Sequence, residues 1–139
     1  MAVSYEIIPE IGIVYVRYWG VAEFHDTIET FARFAQDPQF SPHLKHLVDL
    51  AGVVEYDRNY PELMKLQAGK VDTLSMGASP SYLIYYAPTR ISQSMARMIL
   101  KSWDGLSSIV GRMATDEGEA LEMLGVPQRS FADLPMNRV

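Results

Sequence analysis

The chain has 139 residues, of which 48% are hydrophobic and 21% charged, so it fits one globular domain (1–139) and is neither disordered nor fibrous. A net charge of −5 and a pI near 5.1 argue against nucleic acid as a partner. Cysteine is absent, which excludes disulfides, thiolate zinc sites and cysteine nucleophiles. No apolar run reaches the ~18 residues of a membrane span and residues 1–9 lack a signal-peptide pattern, so we expect a cytoplasmic protein without a transmembrane segment.

The first segments predict a β-hairpin followed by an amphipathic helix. "VSYEIIP" turns at "EIG" into "IVYVRYWG", whose side chains alternate with the two-residue period of a strand that Gly20 ends. Apolar residues then recur at helical spacing, and Pro38 closes the helix. The predicted buried face of this helix consists of Phe24, Ile28, Phe31 and Ala35.

The middle of the chain predicts a strand and a second helix. The run Leu44 to Leu50 indicates a short buried strand that carries Asp49 at its C-terminal end. "YPELMKLQAGKVDTLSM" follows, with Pro61 in the first turn of a helix and Gly69 in its interior. The two elements together form the start of an alternating strand–helix pattern.

The second half of the chain continues this alternation. "SYLIYYA" is a strand, "TRISQSMARMILKSWDGL" is the clearest helix, and "SIVGRMAT" is a shorter strand. "DEGEALEMLG" is a final helix, in which Asp116 and Glu119 form a capping box and Gly125 ends the helix. The tail 126–139 is rich in turn formers, and we expect its last residues to fray.

Strands that alternate with helices prefer parallel pairing through right-handed crossovers. We therefore predict an α/β fold: a mixed, mostly parallel sheet of about five strands, an N-terminal antiparallel hairpin and about four helices. Only the first hairpin is expected to be antiparallel.

The sequence shows no catalytic constellation, which predicts a protein that is not an enzyme. His43 and His46 lie an odd number of residues apart on a strand and so point to opposite faces, where they cannot share a metal. Gly69-Lys70 resembles the end of a phosphate loop, but the earlier glycine and the following Ser or Thr are missing. The serines around "GASPS" lack the pattern of a nucleophile elbow.

Other residues suit binding. Asp49 is placed for a crevice beyond the strand ends of a parallel sheet, although a carboxylate there can also accept from nearby amides. Arg90, Arg97 and Lys101, with Arg112, form either a basic patch for an acidic partner or a solvated helix face.

Aromatic residues leave a further choice open. Tyr15, Trp19 and Trp103 can line a dimer surface or an apolar pocket, since aromatic rings are enriched at interfaces. Periodicity does not separate either role from burial in the core.

The element order and the segment "LVDLAGVVEYD" resemble the STAS superfamily, and more closely its SpoIIAA-like branch, named after the sporulation anti-sigma-factor antagonist. Short motifs spread over nearly the whole chain carry the resemblance: Gly20, Asp37-Pro38, "LVDL" (Leu47–Leu50), "MARM" (Met95–Met98) and "A-L-x-x-L-G" (Ala120–Gly125). The resemblance implies a non-catalytic domain without a cofactor, commonly bacterial, that binds a partner or a small ligand.

Phosphoswitch STAS domains place an aspartate and a serine at the start of the helix after this strand, where helix-terminal amides stabilise a phosphate. Asp57 matches the aspartate, but Arg58 occupies the serine position, and residues 43–71 contain no Ser or Thr. The resemblance therefore implies the scaffold without its phosphoacceptor. Arg58 is a hypothetical replacement that attracts acidic groups.

Two functions remain open at this point. The first is a regulatory or protein-interaction module, acting as a homodimer, whose best candidate surface is Asp49, Asp57, Arg58 and Tyr60. The second is a binder of a small apolar or amphipathic molecule, in a pocket that Tyr, Trp and Met side chains line between the sheet and the helices. An unfilled apolar cavity would favour the second.

Overall fold

The computed structural model describes residues 2–74 and 80–136, and this part of the chain forms five strands and four α-helices. In chain order they are β1 (Val3–Ile8), β2 (Ile13–Ala22), α1 (Phe24–Ala35), β3 (Lys45–Tyr56), α2 (Tyr60–Leu74), β4 (Ser81–Tyr86), α3 (Arg90–Ser102), β5 (Ile109–Ala114) and α4 (Glu117–Leu124). The predicted last residues of α2, Ser75 and Met76, lie outside the described residues. None of the described helices is long and apolar enough to cross a membrane.

The strands form one sheet in the order β1-β2-β3-β4-β5. β1 pairs antiparallel with β2, and the other neighbouring pairs are parallel, which confirms the predicted α/β fold. Each parallel crossover moves one strand further in the same direction. Because such crossovers are right-handed, α1, α2 and α3 all lie on one face of the sheet, and α4 covers the other.

Each face of the sheet has its own core. We call the side covered by α1, α2 and α3 the three-helix face; its core includes Val48, Leu83, Met95 and Ile99. We call the opposite side the α4 face; its core includes Leu47, Ile84, Leu121, Leu124 and Phe131. Successive residues of a strand point to opposite sides, so the sheet supplies both cores from the same strands.

β2 and β3 continue beyond their predicted ends. Gly20 does not end β2: it adopts a φ of +66°, which favours glycine, and the strand continues to Ala22 with a shift of register. β3 extends to Tyr56 because β2 remains its pairing partner past the end of β4. Asp49 therefore lies in the middle of β3, and the prediction that it ends the strand is wrong.

α1 forms where predicted but buries a different face. Ile28 is 49% exposed, whereas Thr27 and Thr30 are buried beside Phe24 and Phe34. The Tyr18 hydroxyl and Thr27 Oγ1 lie 2.9 Å apart and hydrogen bond inside the protein. This partner allows a threonine to occupy a core position that the apolar pattern assigned to isoleucine.

The caps of the last two helices follow from their sequences. Thr89 and Ser92 form a reciprocal capping box at the start of α3. At α4, Asp116 accepts from the Glu119 amide at 2.9 Å as predicted, while the Glu119 carboxylate accepts from the Thr115 amide.

The tail packs closely on the α4 face. Phe131 and Leu134 are each 5% exposed and belong to the core beneath α4. The Phe131 amide donates to Glu117 Oε1 at 2.7 Å, which fixes the tail to the helix. The residues expected to fray, 137–139, lie outside the described part of the chain.

Candidate functional site

A cavity of about 80 Å³ lies between the sheet and the helices of the three-helix face. Its lining is mostly apolar and includes Phe31, Val48, Leu63, Met95 and Ile99. This volume is several times the roughly 10–15 Å³ that one water molecule needs. It is well below the roughly 300 Å³ of the smallest typical pockets for drug-sized ligands. The cavity therefore suits a small molecule or one end of a longer molecule.

The charged residues of the lining lie towards opposite ends of the cavity. Glu23 and Asp57 directly follow the paired ends of β2 and β3. Lys70 lies towards the other end, near His46 at the beginning of β3 and Phe31 in the second half of α1. The cavity thus has an acidic end and a basic end, with an apolar middle.

Gln67 lines this apolar site and has an unpaired polar atom. The residue is 3% exposed, its Nε2 donates to Ser102 Oγ at 3.0 Å, and its Oε1 has no partner in the described structure. The Ser102 hydroxyl donates its one proton to the Ile99 carbonyl at 2.5 Å. Ser102 must therefore accept from Gln67, which fixes the amide orientation and leaves Oε1 as the unsatisfied atom.

Lys70 is a half-buried cation beside this amide. Its Nζ lies 5.3 Å from the centre of the Phe31 ring, and no carboxylate forms an ion pair with it within residues 2–74 and 80–136. Burial lowers the pKa of Lys70 to about 8. Among the described residues the amine thus has no counter-ion, although its setting is largely apolar.

His46 lines the cavity next to Lys70. The residue is 7% exposed, and its ring makes an edge contact with Phe34 at 5.5 Å between centroids. Burial, with a smaller effect from the charge of Lys70, lowers the pKa of His46 to about 3. His46 is therefore neutral at pH 7 and adds a polar group without adding charge.

Other buried polar groups on the three-helix face have partners. Tyr18 pairs with Thr27, and burial raises the pKa of the Tyr18 phenol. The Trp103 indole donates to the Tyr85 hydroxyl at 3.0 Å, and burial likewise raises the pKa of Tyr85. Gln67 Oε1 differs from these neighbouring groups, because it has no partner; among the described residues Gln128 Oε1, in the tail, is also buried without one.

Asp49 does not belong to this cavity. It lies on the α4 face, where it accepts from the Tyr15 hydroxyl and, at 2.9 Å, from the Ala51 amide. Only 7% of the residue is exposed. The structure therefore supports the alternative in which Asp49 accepts from neighbouring groups, and it does not bring Asp49 together with the loop 57–60.

The loop 57–60 connects β3 to α2. Arg58 is exposed, lies over the Tyr56 ring at 4.2 Å and pairs with Glu55 at 2.9 Å. Asp57 lines the acidic end of the cavity and accepts from the Asn59 amide at 3.0 Å. The predicted group thus divides, with Asp57 at the cavity and Arg58 on the outer surface.

The predicted basic residues form one exposed stripe on α3. Arg90, Arg97 and Lys101 are exposed and spaced by seven and four residues, so they share a helix face. Lys101 Nζ lies 5.3 Å from the Tyr60 ring, which places the stripe beside the start of α2. Arg112, on β5, is also exposed, and it donates to the Gly111 carbonyl.

The sequence left the roles of three aromatic residues undecided, and the structure places them in different environments. Trp103 is 4% exposed and belongs to the core of the three-helix face, so it does not line a dimer surface. Tyr15 is half-buried beside Asp49 and Phe131. Trp19 is half-buried with the Arg17 guanidinium 5.2 Å from its ring.

Sequence reasoning missed Gln67 and Lys70 as site residues, although α2 carries a signal for them. Leu63, Gln67, Lys70 and Leu74 follow the spacing of a single inward-facing helix stripe, and the middle two are polar. Polar residues at core positions of an amphipathic helix need partners or a ligand. His46 was considered only as a metal ligand paired with His43 on one strand, but His43 lies in the exposed loop before β3, so the prediction of a shared strand is wrong.

The described residues contain no group of three or more His, Cys, Asp or Glu side chains that could hold a metal ion. A scan against protein-family models finds no match, and a search of curated proteins finds no similar protein. The likeness to the SpoIIAA-like branch therefore stays a prediction.

Proposed function

We propose that this domain is a non-catalytic binding module that holds a small apolar or amphipathic molecule in the cavity of the three-helix face. The observation that carries the proposal is the cavity itself, whose largely apolar lining includes Gln67, a buried residue with an unpaired Oε1 in the described structure. A buried acceptor without a donor costs about 1–3 kcal/mol.

The residues that line the cavity also support a ligand-binding function. Ligand pockets are typically apolar concavities with a few convergent polar groups, and this cavity has Gln67, Lys70 and His46 among hydrophobic side chains. Met95 and Met98 contribute flexible side chains that adapt to a ligand's shape. A role without catalysis, in a cytoplasmic and homodimeric protein, agrees with the resemblance to the SpoIIAA-like branch.

Native mass spectrometry of the protein purified gently from its own host tests the proposal. We expect a discrete additional mass of small-molecule size, which denaturation releases. Recovery of the apo protein alone, from several growth conditions, would count against a resident ligand.

A matched pair of variants locates the binding site. Val48→Phe fills the cavity from β3, whereas Val110→Phe adds the same ring on the α4 face of β5. We expect the additional mass to be lost only in Val48→Phe, with thermal melting used to verify that both variants fold. Loss in both variants, or in neither, would place the ligand elsewhere.

A second candidate function, binding of a protein partner, is supported by the basic residues on the surface of α3. The contacts of Tyr60 with Lys101 and of Arg58 with Tyr56 connect the loop 57–60 to the basic stripe Arg90, Arg97 and Lys101. On a chain of net charge −5, such a local basic surface suits an acidic segment of a protein partner.

Charge reversal tests this second function. The triple variant Arg90→Glu, Arg97→Glu and Lys101→Glu should weaken crosslinking to a protein partner in the host, while reversal of the exposed Lys65 on α2 should not. An unchanged set of crosslinks in the triple variant would remove the interaction function.

A further inference from the structure

We propose that the ligand is a small apolar acid whose carboxylate binds Lys70 and whose hydrocarbon part lies among Leu63, Met95 and Ile99. This inference rests on the proposed function, because it names the class of molecule that the same cavity takes. The arrangement that points to it is a half-buried cation at one end of an apolar cavity, with no carboxylate paired to it in the part of the chain that the structure describes.

The charges of the cavity favour a single negative charge on the ligand. Among the described lining residues Lys70 is the one full positive charge, since His46 is neutral at pH 7. A phosphate monoester would bring about two negative charges near neutral pH, and the cavity has one cation to match them. A carboxylate brings one charge, which matches Lys70.

The acidic end of the cavity orients such a ligand. Glu23 and Asp57 lie towards the opposite end from Lys70, where they repel a carboxylate. The favourable orientation therefore directs the carboxylate to Lys70 and the hydrocarbon part along the apolar middle. The reverse orientation places like charges together and leaves Lys70 without a partner.

Gln67 adds a polar neighbour of Lys70 but no charge. Gln67 and Lys70 are separated by three residues, so they are neighbours on one face of α2. A carboxylate has acceptors only, so it cannot donate to Gln67 Oε1, whereas the Lys70 ammonium has N–H groups that a carboxylate accepts. The polar contact that holds the ligand is therefore the one with Lys70.

The test compares hexanoate with hexanol, which have the same hydrocarbon chain but differ in charge. Binding is followed by NMR of methionine methyl groups, because Met95 and Met98 line the cavity while Met123 is 42% exposed on α4 and serves as an internal reference. The proteins are the wild type, Lys70→Met, and the control Lys65→Met, which removes an exposed lysine of the same helix.

We expect hexanoate to bind the wild type and Lys65→Met about tenfold or more tightly than Lys70→Met, as for a charge-assisted hydrogen bond. Hexanol should bind all three proteins with similar affinity. If hexanol binds at the cavity but hexanoate is no tighter, or if Lys70→Met keeps the affinity for hexanoate, the inference is overturned and the proposed function stands. If neither compound shifts Met95 or Met98, both fail.

Discussion

The two faces of the sheet are built from the same strands, but the side chains that cover them pack differently. On the α4 face, Leu47, Leu121 and Leu124 are each at most 1% exposed and pack into a continuous apolar core. The buried Asp49 on this face has hydrogen-bond partners. On the three-helix face, the apolar core surrounds a cavity and includes the polar side chains of His46 and Gln67. The α4 face therefore contributes mainly stability, and the three-helix face combines stability with a candidate binding site.

This contrast indicates where the chain tolerates unfavourable local features. An empty space forfeits dispersion contacts, and an unpaired buried acceptor costs desolvation energy. Both features occur together at Gln67 and its surroundings, whereas Gln128 Oε1, the other buried acceptor without a partner among the described residues, lies in the tail and outside the cavity lining. We read that concentration as the mark of a binding site, since such costs commonly accompany function.

The largest expected effect comes from truncating one leucine on each face. Leu121 is 0% exposed and Leu63 is 2% exposed, so both are core residues, but Leu63 borders the cavity. We expect Leu121→Ala to lower the free energy of unfolding by about 3–5 kcal/mol and Leu63→Ala by about 2–3 kcal/mol. Urea unfolding measures both; an equal or larger loss at Leu63 would contradict the comparison.

The next effect concerns pH and the neutral His46. Its pKa is about 3 in the folded protein, compared with 6.5 for a free imidazole. Between these values the unfolded chain binds a proton that the folded chain does not, so stability falls as the pH drops from about 6.5 towards 3.

Urea unfolding over this range should show a weaker pH dependence for His46→Leu than for the wild type. His43→Gln, which removes an imidazole from an exposed loop, is the matched control. Equal pH dependence in His46→Leu and the wild type would mean that His46 does not carry the predicted linkage.

A smaller effect is expected from removing the unpaired acceptor. Gln67→Met keeps the length of the side chain, loses the hydrogen bond to Ser102 and eliminates Oε1. We expect the apo protein to gain about 1 kcal/mol in free energy of unfolding, because the desolvation cost exceeds one neutral hydrogen bond. The control Gln39→Met alters an exposed glutamine. A loss of stability in Gln67→Met would show that Oε1 already has a partner.

The smallest effect belongs to Arg58. Its side chain and that of Glu55 are 57% and 53% exposed, so their ion pair is weak, and stacking on Tyr56 adds little at such a site. Arg58→Ala should lower the free energy of unfolding by less than about 1 kcal/mol. Urea denaturation checks this value, and a loss above about 2 kcal/mol would assign Arg58 a structural role.

Local sequence signals predicted most of the fold. Alternation in β2 and β4, apolar spacing in α3 and the Asp116 cap of α4 act over a few residues, and the structure confirms them. The sequence did not predict features that depend on a partner far away in the chain. β3 extends past Leu50 because β2 continues beside it, and Ile28 is exposed because Tyr18 pairs with Thr27.

The candidate site was also predicted only in part, because its residues meet through long-range packing. Asp49 was chosen from its place in a strand, yet the side of the sheet that it faces depends on register, and it pairs with Tyr15 on the α4 face. Gln67, Lys70 and His46 belong to two different elements that meet only after α2 packs on the sheet.

The sequence alone determined the strand–helix order, the helix caps and the absence of thiol chemistry, because these depend on local preference and composition. The tertiary structure alone decided where the empty space lies, which carboxylates remain apart from Lys70 and which acceptor stays unpaired. Those properties arise from the distances between residues far apart in the chain, and packing sets these distances only when the elements come together.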